Sequence, residues 1–441
     1  MVYTFAAPKP ACQRDFSLNL MAESMTEQRR PRILSGMRPT GRLHLGNLVG
    51  ALQNWVELQN RYESYHCVVD WHMLTTDYAN TAELQDNIWQ MTADWLAAGL
   101  DPGKAVFFVQ SRVLEHAELH LLLSMITPLG WLERVPTYKE ALENIKDRDI
   151  HTYGFLGYPV LQAADILIYK ADAVPVGEDQ VPHIELTREI ARRFNVLYPK
   201  LELETRTGTE WASFIKSVGW GGDLWTRWLE VDSGRARFDD VLDATTRAFK
   251  NEDWKIRQTL ANSGIGLQRD VFPEPQTLLT PTPRLPGTDG RKMSKSYGNA
   301  IYLSDPPDVV WKKVSTMVTD PARKRRYDPG NPEICPVFDL HKVFSEQPVI
   351  DRVNRECRTA EIGCIDCKKL MVEGLNRRLA PIQGKRRIYE QNPEQVWDVL
   401  EAGTNRARKV AQTTMTEVRE AMGLARTRKK AVSEETNPPA C

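Results

Sequence analysis

The segment Ile33-Leu34-Ser35-Gly36-Met37-Arg38-Pro39-Thr40-Gly41-Arg42-Leu43-His44-Leu45-Gly46-Asn47 runs from an apolar pair through a glycine- and proline-bearing turn into a helical pattern. Ile33 and Leu34 read as a short buried strand. Leu48, Val49, Leu52 and Val56 recur at helical spacing, so a helix starts between His44 and Asn47. A strand that turns through glycines into a helix N-terminus can hold phosphate. Its first-turn amides point outward unpaired, and the helix dipole favours negative charge. Gly36 and Gly46 lack a Cβ and admit a nucleotide close to the backbone. His44 can donate to a phosphate, and Asn47 can offer its amide. An ordinary capped helix after a turn accounts for this stretch equally well on its own.

A second stretch, Gly290-Arg291-Lys292-Met293-Ser294-Lys295-Ser296, sits between Gly287 and Gly298 and places two lysines on a loop expected to be mobile. With it the chain resembles the class I aminoacyl-tRNA synthetases. His44-Leu45-Gly46-Asn47 is similar to their HIGH signature with Asn in the last place, and Lys292 to Ser296 reproduces KMSKS. The resemblance implies catalysis by His44, Asn47, Lys292 and Lys295. It implies ATP contacts from Arg38, Pro39, Thr40, Gly46 and Asn47, and from Leu285, Lys292, Met293, Ser294, Lys295 and Ser296. Mg²⁺ is expected to accompany the ATP.

The 441 residues are enough for a large core and two or three domains. Formal net charge is zero, so any nucleic-acid partner has to be argued from local asymmetry. No apolar run reaches bilayer length. Seven scattered cysteines argue against a secreted disulfide framework. A cytoplasmic protein without membrane association is expected. Residues 1–30 match nothing in the family pattern and read as a disordered extension, as does the polar tail at 431–441.

Strands are expected at Ile33, 64–69, 105–109 and 173–176, with helical patterns at 47–62, 81–99, 115–127 and 159–169 between them. That alternation gives an α/β fold with a doubly wound, Rossmann-like parallel sheet, whose ligands bind at the carboxyl ends of the strands. Ser35, Asp70 and Gly177 would share that crevice, and Asp70-Trp71-His72 is a candidate strand end. The catalytic nucleotide-binding domain is expected over 31–199 and 271–304.

Gly177-Glu178-Asp179-Gln180 opens a helix at 181–194 and suits a ribose: Gly177 allows approach and Asp179 can accept from hydroxyls. An acidic helix N-terminus is the plainer reading. Tyr158, Gln162 and Asp165 fall at i, i+4 and i+7 of another helix and share a face. A buried Asp needs a partner, and an indole N–H would serve. The stretches 158–167 and 174–188 resemble the tryptophanyl branch of the family. That branch implies Asp165, Gln162, Tyr158 and Gln180 around L-tryptophan, with Asp165 reading the indole nitrogen.

Residues 200–270 interrupt the pattern with five tryptophans and read as an inserted small domain rather than a loop. From 305 to 430 the pattern is nearly all helical, and residues 368–430 carry fifteen Lys/Arg against seven Asp/Glu. By resemblance this is a helical anticodon-binding domain for tRNA(Trp), in a homodimer. Another kind of nucleotidyltransferase, or a tryptophan-sensing relative without catalysis, are the alternatives.

Cys335, Cys357, Cys364 and Cys367 are spaced C-x21-C-x6-C-x2-C. Four of seven cysteines so close together suggest a metal site, and the spacing suits Zn²⁺ or a [4Fe–4S] cluster alike. A subset of bacterial tryptophanyl enzymes carries a [4Fe–4S] cluster on a very similar pattern. The resemblance therefore implies iron–sulfur first and Zn²⁺ second.

Overall fold

The computed structural model describes residues 29–144, 149–202, 207–252, 256, 259–260, 263, 267–279 and 285–425. The expected extension at 1–30, save Arg29 and Arg30, and the expected tail at 431–441 lie outside the described residues. Residues from Pro31 onward form one unit.

Its centre is a sheet of β1 (Arg32–Met37), β2 (Glu63–Val68), β3 (Ala105–Val109), β4 (Ala173–Val176) and β7 (Gln276–Leu279). The order is β3-β2-β1-β4-β7 and every pair is parallel, with Leu34 opposite Tyr65 and Tyr65 opposite Val106. The doubly wound expectation holds. The fifth strand, β7, was not anticipated: it is a short edge strand, partly exposed, and lacks the apolar run that marks β3.

The two pleats of β2 feed two cores, because a parallel sheet is covered on both faces. Tyr65 and Cys67 join Leu34 and Phe108 on one side, under α4 (Glu115–Ser124), α5 (Tyr153–Ile168) and α6 (Val181–Leu197). Val68 and Phe107 join the other side. There they meet α1, a run made of Leu45–Asn47, a π-helical Leu48–Leu52 and Gln53–Leu58. The short α2 (Asp70–Asp77) follows β2, and α3 (Leu84–Ala98) also packs on the Val68 face.

Between β5 (Lys200–Glu202) and β6 (Leu267–Arg269), which pair antiparallel, lies the insert. Its helices α7 (Gly208–Ser217), α8 (Leu224–Asp232) and α9 (Phe238–Asn251) bury their own core. Trp211 stacks on Trp228 at 5.5 Å between centroids. The insert's tryptophans thus mostly form a core, although Trp254 lies outside the described residues.

The C-terminal part is helical: α10 (Pro307–Ser315), α11 (Pro336–Phe344), α12 (Gln347–Arg358), α13 (Cys364–Gln391) and α14 (Glu394–Ala421). It does not stand apart from the sheet. Met371, Leu375 and Leu379 of α13 share a core with Phe107, and Ala407, Ala411, Met415 and Val418 of α14 share the other with Tyr65. Gly403 lies so close to β3 that a Cβ there would sit 1.8 Å from the Phe107 carbonyl oxygen. Only glycine lets α14 approach that strand.

Candidate active site

His44 is the N-cap of α1, and Asn47 closes the first turn by accepting from the His44 N–H at 3.1 Å. The Asn47 side-chain oxygen thus has a structural task beside any ligand role. The imidazole folds back over Gly46, where a Cβ would lie 2.9 Å from its Cε1. The last glycine of the signature therefore accommodates its own histidine. Gly41 takes φ +87°, a left-handed conformation suited to glycine.

The two distant signatures meet here. Leu45 N–H donates to the Ile301 carbonyl at 3.0 Å, and Leu303 N–H donates to the Leu43 carbonyl at 2.9 Å. This short ladder sets the 292–296 loop beside the turn. Lys295 Nζ donates to Thr40 O at 2.7 Å and to Thr40 Oγ1 at 3.1 Å. The loop expected to be mobile has a hydrogen-bonded frame. Asn299 accepts from Ser294 N–H at 2.8 Å and donates to Asp289 at 2.7 Å and to the Lys292 carbonyl at 3.2 Å.

Burial, with Lys295 and then Lys292 nearby, pushes His44 down to about 4. The imidazole is therefore neutral at pH 7, and its Nδ1 is buried without a hydrogen-bond partner. Burial also pushes Lys295 down to about 8, opposed by Asp94 and assisted by Arg42. A cation this close to losing its proton suits a group that meets phosphate charge only when it arrives.

Next to the turn, a cavity of about 520 Å³ opens at the ends of β1 and β4. Ser35, Gly36 and Arg38 line it on one side, and Val174, Gly177 and Gln180 on the other. Tyr158, Gln162 and Asp165 share its wall, as their spacing on α5 anticipated. Gly177 and Gln180 reach the cavity, whereas Glu178 and Asp179 are not among its lining residues. Pro39, Thr40, His44, Asn47 and Lys292 to Ser296 also lie outside its lining. Arg38 donates to Thr76 Oγ1 and to the Met73 carbonyl, so it is tied to α2. Leu285 and Met293 are core residues joined by an N–H to carbonyl bond of 3.0 Å.

Two expected strand ends are corrected. β1 continues to Met37, so Ser35 lies within the strand. Asp70 turns away to accept from Ser111 and Trp71 while His72 takes the wall of the cavity.

Asp165 is buried and already well supplied with donors. His116 Nδ1 lies 2.6 Å away, His72 Nε2 2.8 Å, and Gln110 donates to both oxygens at 2.8 and 2.9 Å. Burial favours the neutral acid, but these bonds outweigh it and hold the carboxyl well below the usual carboxylate range. Of the three partners only His72 lines the cavity. Gln110 and His116 were missed because they come from other elements, 55 and 49 residues from Asp165. Tyr158 is held by Thr137 at 2.6 Å and His183 at 2.8 Å.

The four cysteines are free thiols. Cys367 is pushed up to about 12 by burial and then by Cys335, Cys357 and Cys364, so the four are electrostatic neighbours. Among the described residues no group of three or more His, Cys, Asp or Glu side chains is arranged to hold a metal ion. Two buried cations flank the thiols. Arg323 Nη1 approaches Cys357 Sγ at 3.6 Å, and Lys368 Nζ donates to the Ser315 and Met317 carbonyls at 2.8 and 2.6 Å. Burial favours neutral thiols at Cys357 and Cys367, and the Arg323 charge works against it at both, the direction an anionic group would need.

The chain matches the family described as tRNA synthetases class I (W and Y) over residues 26–207 and 254–380, which leaves α7 to α9 outside the match. The tryptophan–tRNA ligase of Ralstonia nicotianae is 50% identical over 399 residues, 89% of this chain and 98% of the relative. That of Thermotoga maritima is 47% identical over 395 residues, 89% of this chain and 99% of the relative. The tryptophanyl-tRNA synthetase of Campylobacter jejuni, solved with ADP and tryptophan, superposes with a TM-score of 0.66 at 27% identity, covering 89% of this chain and 100% of that one. On the two joined signatures, the parallel sheet and these similarities, the chain belongs to the class I tRNA synthetases for tryptophan and tyrosine, alongside the bacterial tryptophan–tRNA ligases.

Proposed function

We propose that the chain is a tryptophan–tRNA ligase. One carboxylate oxygen of L-tryptophan attacks the α-phosphorus of ATP. The bond to the bridging oxygen breaks, pyrophosphate leaves, and tryptophanyl-adenylate forms. A terminal ribose hydroxyl of tRNA(Trp) then attacks the acyl carbon, loses its proton and releases AMP. The observation that carries this reading is the Lys295–Thr40 contact, which closes the two nucleotide signatures beside the cavity holding Asp165.

The attacking carboxylate needs no covalent help, so positioning and charge stabilisation at the phosphates are the protein's task. Neutral His44 donates a hydrogen bond, and Lys292 and Lys295 meet the charge that moves onto pyrophosphate. Mg²⁺ would accompany ATP as part of the substrate. Gly177 borders the ribose, and Asp165 with His72 faces the indole end. The basic stretch of α13 and α14 supports a tRNA contact, and the protein is read as a cytoplasmic homodimer. Within the described residues no helix is long and apolar enough to cross a membrane. Charging of a tRNA(Trp) transcript with tryptophan tests the whole reading. Adenylate formation without charging would instead favour a nucleotidyltransferase, and tryptophan binding without either step a sensor.

The cysteine quartet is read as the seat of a [4Fe–4S] cluster, with Zn²⁺ second. A metal site is supported by the cysteine spacing and by Arg323 and Lys368 beside the thiols, not by a preformed cage, and iron–sulfur comes before zinc on the family resemblance alone. When bound, such a group would supply a covalent staple at the head of α13, since the reaction moves no electrons. Anaerobically purified protein is expected to be brown and to contain about four irons per chain. Cys364→Ser should bleach it and weaken tRNA charging more than ATP–pyrophosphate exchange. Colourless protein with one zinc per chain would decide for zinc, and metal-free protein with normal charging would exclude both.

A further inference from the structure

Asp94 interrupts the buried face of α3 with a charge. It is fully buried, as is almost all of Arg386, which belongs to α13 and lies 292 residues away. Isolated charges do not survive in such a place, so each needs the other. Arg386 Nη1 donates to Asp94 Oδ1 and to the Gln90 carbonyl at 3.2 Å, Nη2 donates to Gln90 Oε1, and Nε donates to Glu390 at 2.9 Å.

The other Asp94 oxygen does something different. Oδ2 accepts the Leu43 N–H at 2.7 Å, in a fully buried bond across 51 residues. Leu43 immediately precedes His44. Its carbonyl is taken by Leu303 N–H, so both backbone groups of Leu43 are fixed. One turn before Arg386, Gln383 Nε2 donates to the Leu303 carbonyl at 3.2 Å and to the Asp305 carbonyl at 2.8 Å. Helix α13 therefore holds both strands of the ladder that joins the two signatures. It reaches one through Asp94 and the other directly.

We propose that Asp94 and Arg386 are positioning residues: through them α13 fixes the Leu43–His44 turn on which ATP is held. This rests on the proposed ligase reaction. Asp94 touches no substrate. It acts by presenting a charged acceptor to one backbone amide and by lying close enough to Lys295 to favour its protonated form. The same helix begins at Cys364 and carries Cys367 in its first turn, roughly six turns from Arg386. The cysteines and Arg386 thus lie on one helix, with Pro381 inside it between them.

The test uses the full chain carrying Asp94→Leu together with Arg386→Met. Replacing both members of a buried ion pair by apolar side chains is commonly tolerated, whereas removing one is not. Three readings are taken: thermal midpoint, ATP–pyrophosphate exchange with ATP and tryptophan varied separately, and ATP affinity by calorimetry. The folded double variant should keep a midpoint near that of the parent. It should lose roughly tenfold or more in kcat/KM for ATP, the effect of one lost charge-assisted bond. Its KM for tryptophan should stay within about twofold. Unchanged ATP constants, or ATP and tryptophan constants worsening together, would overturn the proposal. If the double variant does not fold, Arg386→Lys, which keeps the charge but gives up the paired donors, must show the same split at smaller size. A parent chain that binds ATP but exchanges with no amino acid would refute the ligase reading instead, and calorimetry would still test the positioning.

Discussion

Lys295→Ala is expected to lower kcat for tryptophan-dependent ATP–pyrophosphate exchange by ~10²–10³-fold, the scale seen when a single donor aimed at developing charge is removed. Lys295 Nζ donates to Thr40 O and Oγ1. Those are neutral acceptors that an incoming phosphate can replace. The gain from a charged partner then falls mainly in the transition state, so kcat should fall while KM for tryptophan barely moves. Burial sets Lys295 near 8, so its charged form is lost as pH rises through that value. The parent should show a decline in kcat/KM for ATP above about pH 8, and the variant should lack that limb. An unchanged kcat would remove Lys295 from the mechanism.

Asp165→Ala should harm stability and tryptophan use together. The carboxylate is buried and serves His116, His72 and Gln110, and removing one partner from a buried charged network costs about 3–5 kcal/mol. The folded-state carboxyl is held below its ordinary value. Its contribution is therefore present above the unfolded pKa, about 4, and lost as pH falls below it. The stability gap between parent and variant should narrow in acid. In the folded fraction, kcat/KM for tryptophan should fall by roughly 10²-fold, with KM for ATP within a few-fold. Equal losses for both substrates would make Asp165 purely structural.

Local features of this chain were readable and long-range ones were not. β3 announces itself as an unbroken apolar run and β2 by the Cys67-Val68-Val69 stretch at its end, and the face of α5 that carries Tyr158, Gln162 and Asp165 follows from helical period alone. β7 gave no such signal, being short and half exposed behind the insert. Nothing in the neighbourhood of Asp165 in sequence points to Gln110 or His116, whose approach depends on how the end of β3 and α4 pack against α5. Asp94 did leave a trace: a carboxylate amid Met91, Ala93, Trp95 and Leu96 in the buried second half of α3. Its partner could not be found without the fold. The cysteine pattern is the opposite case, plain in sequence, while the thiols form no ready-made ion cage among the described residues.

The most direct test of the ligase reading is amino-acid-dependent ATP–pyrophosphate exchange, run in parallel with tryptophan and with tyrosine. Exchange that depends on tryptophan and stays at background with tyrosine is the predicted result. Exchange driven by tyrosine, or none with tryptophan from a folded, ATP-binding chain, would contradict it.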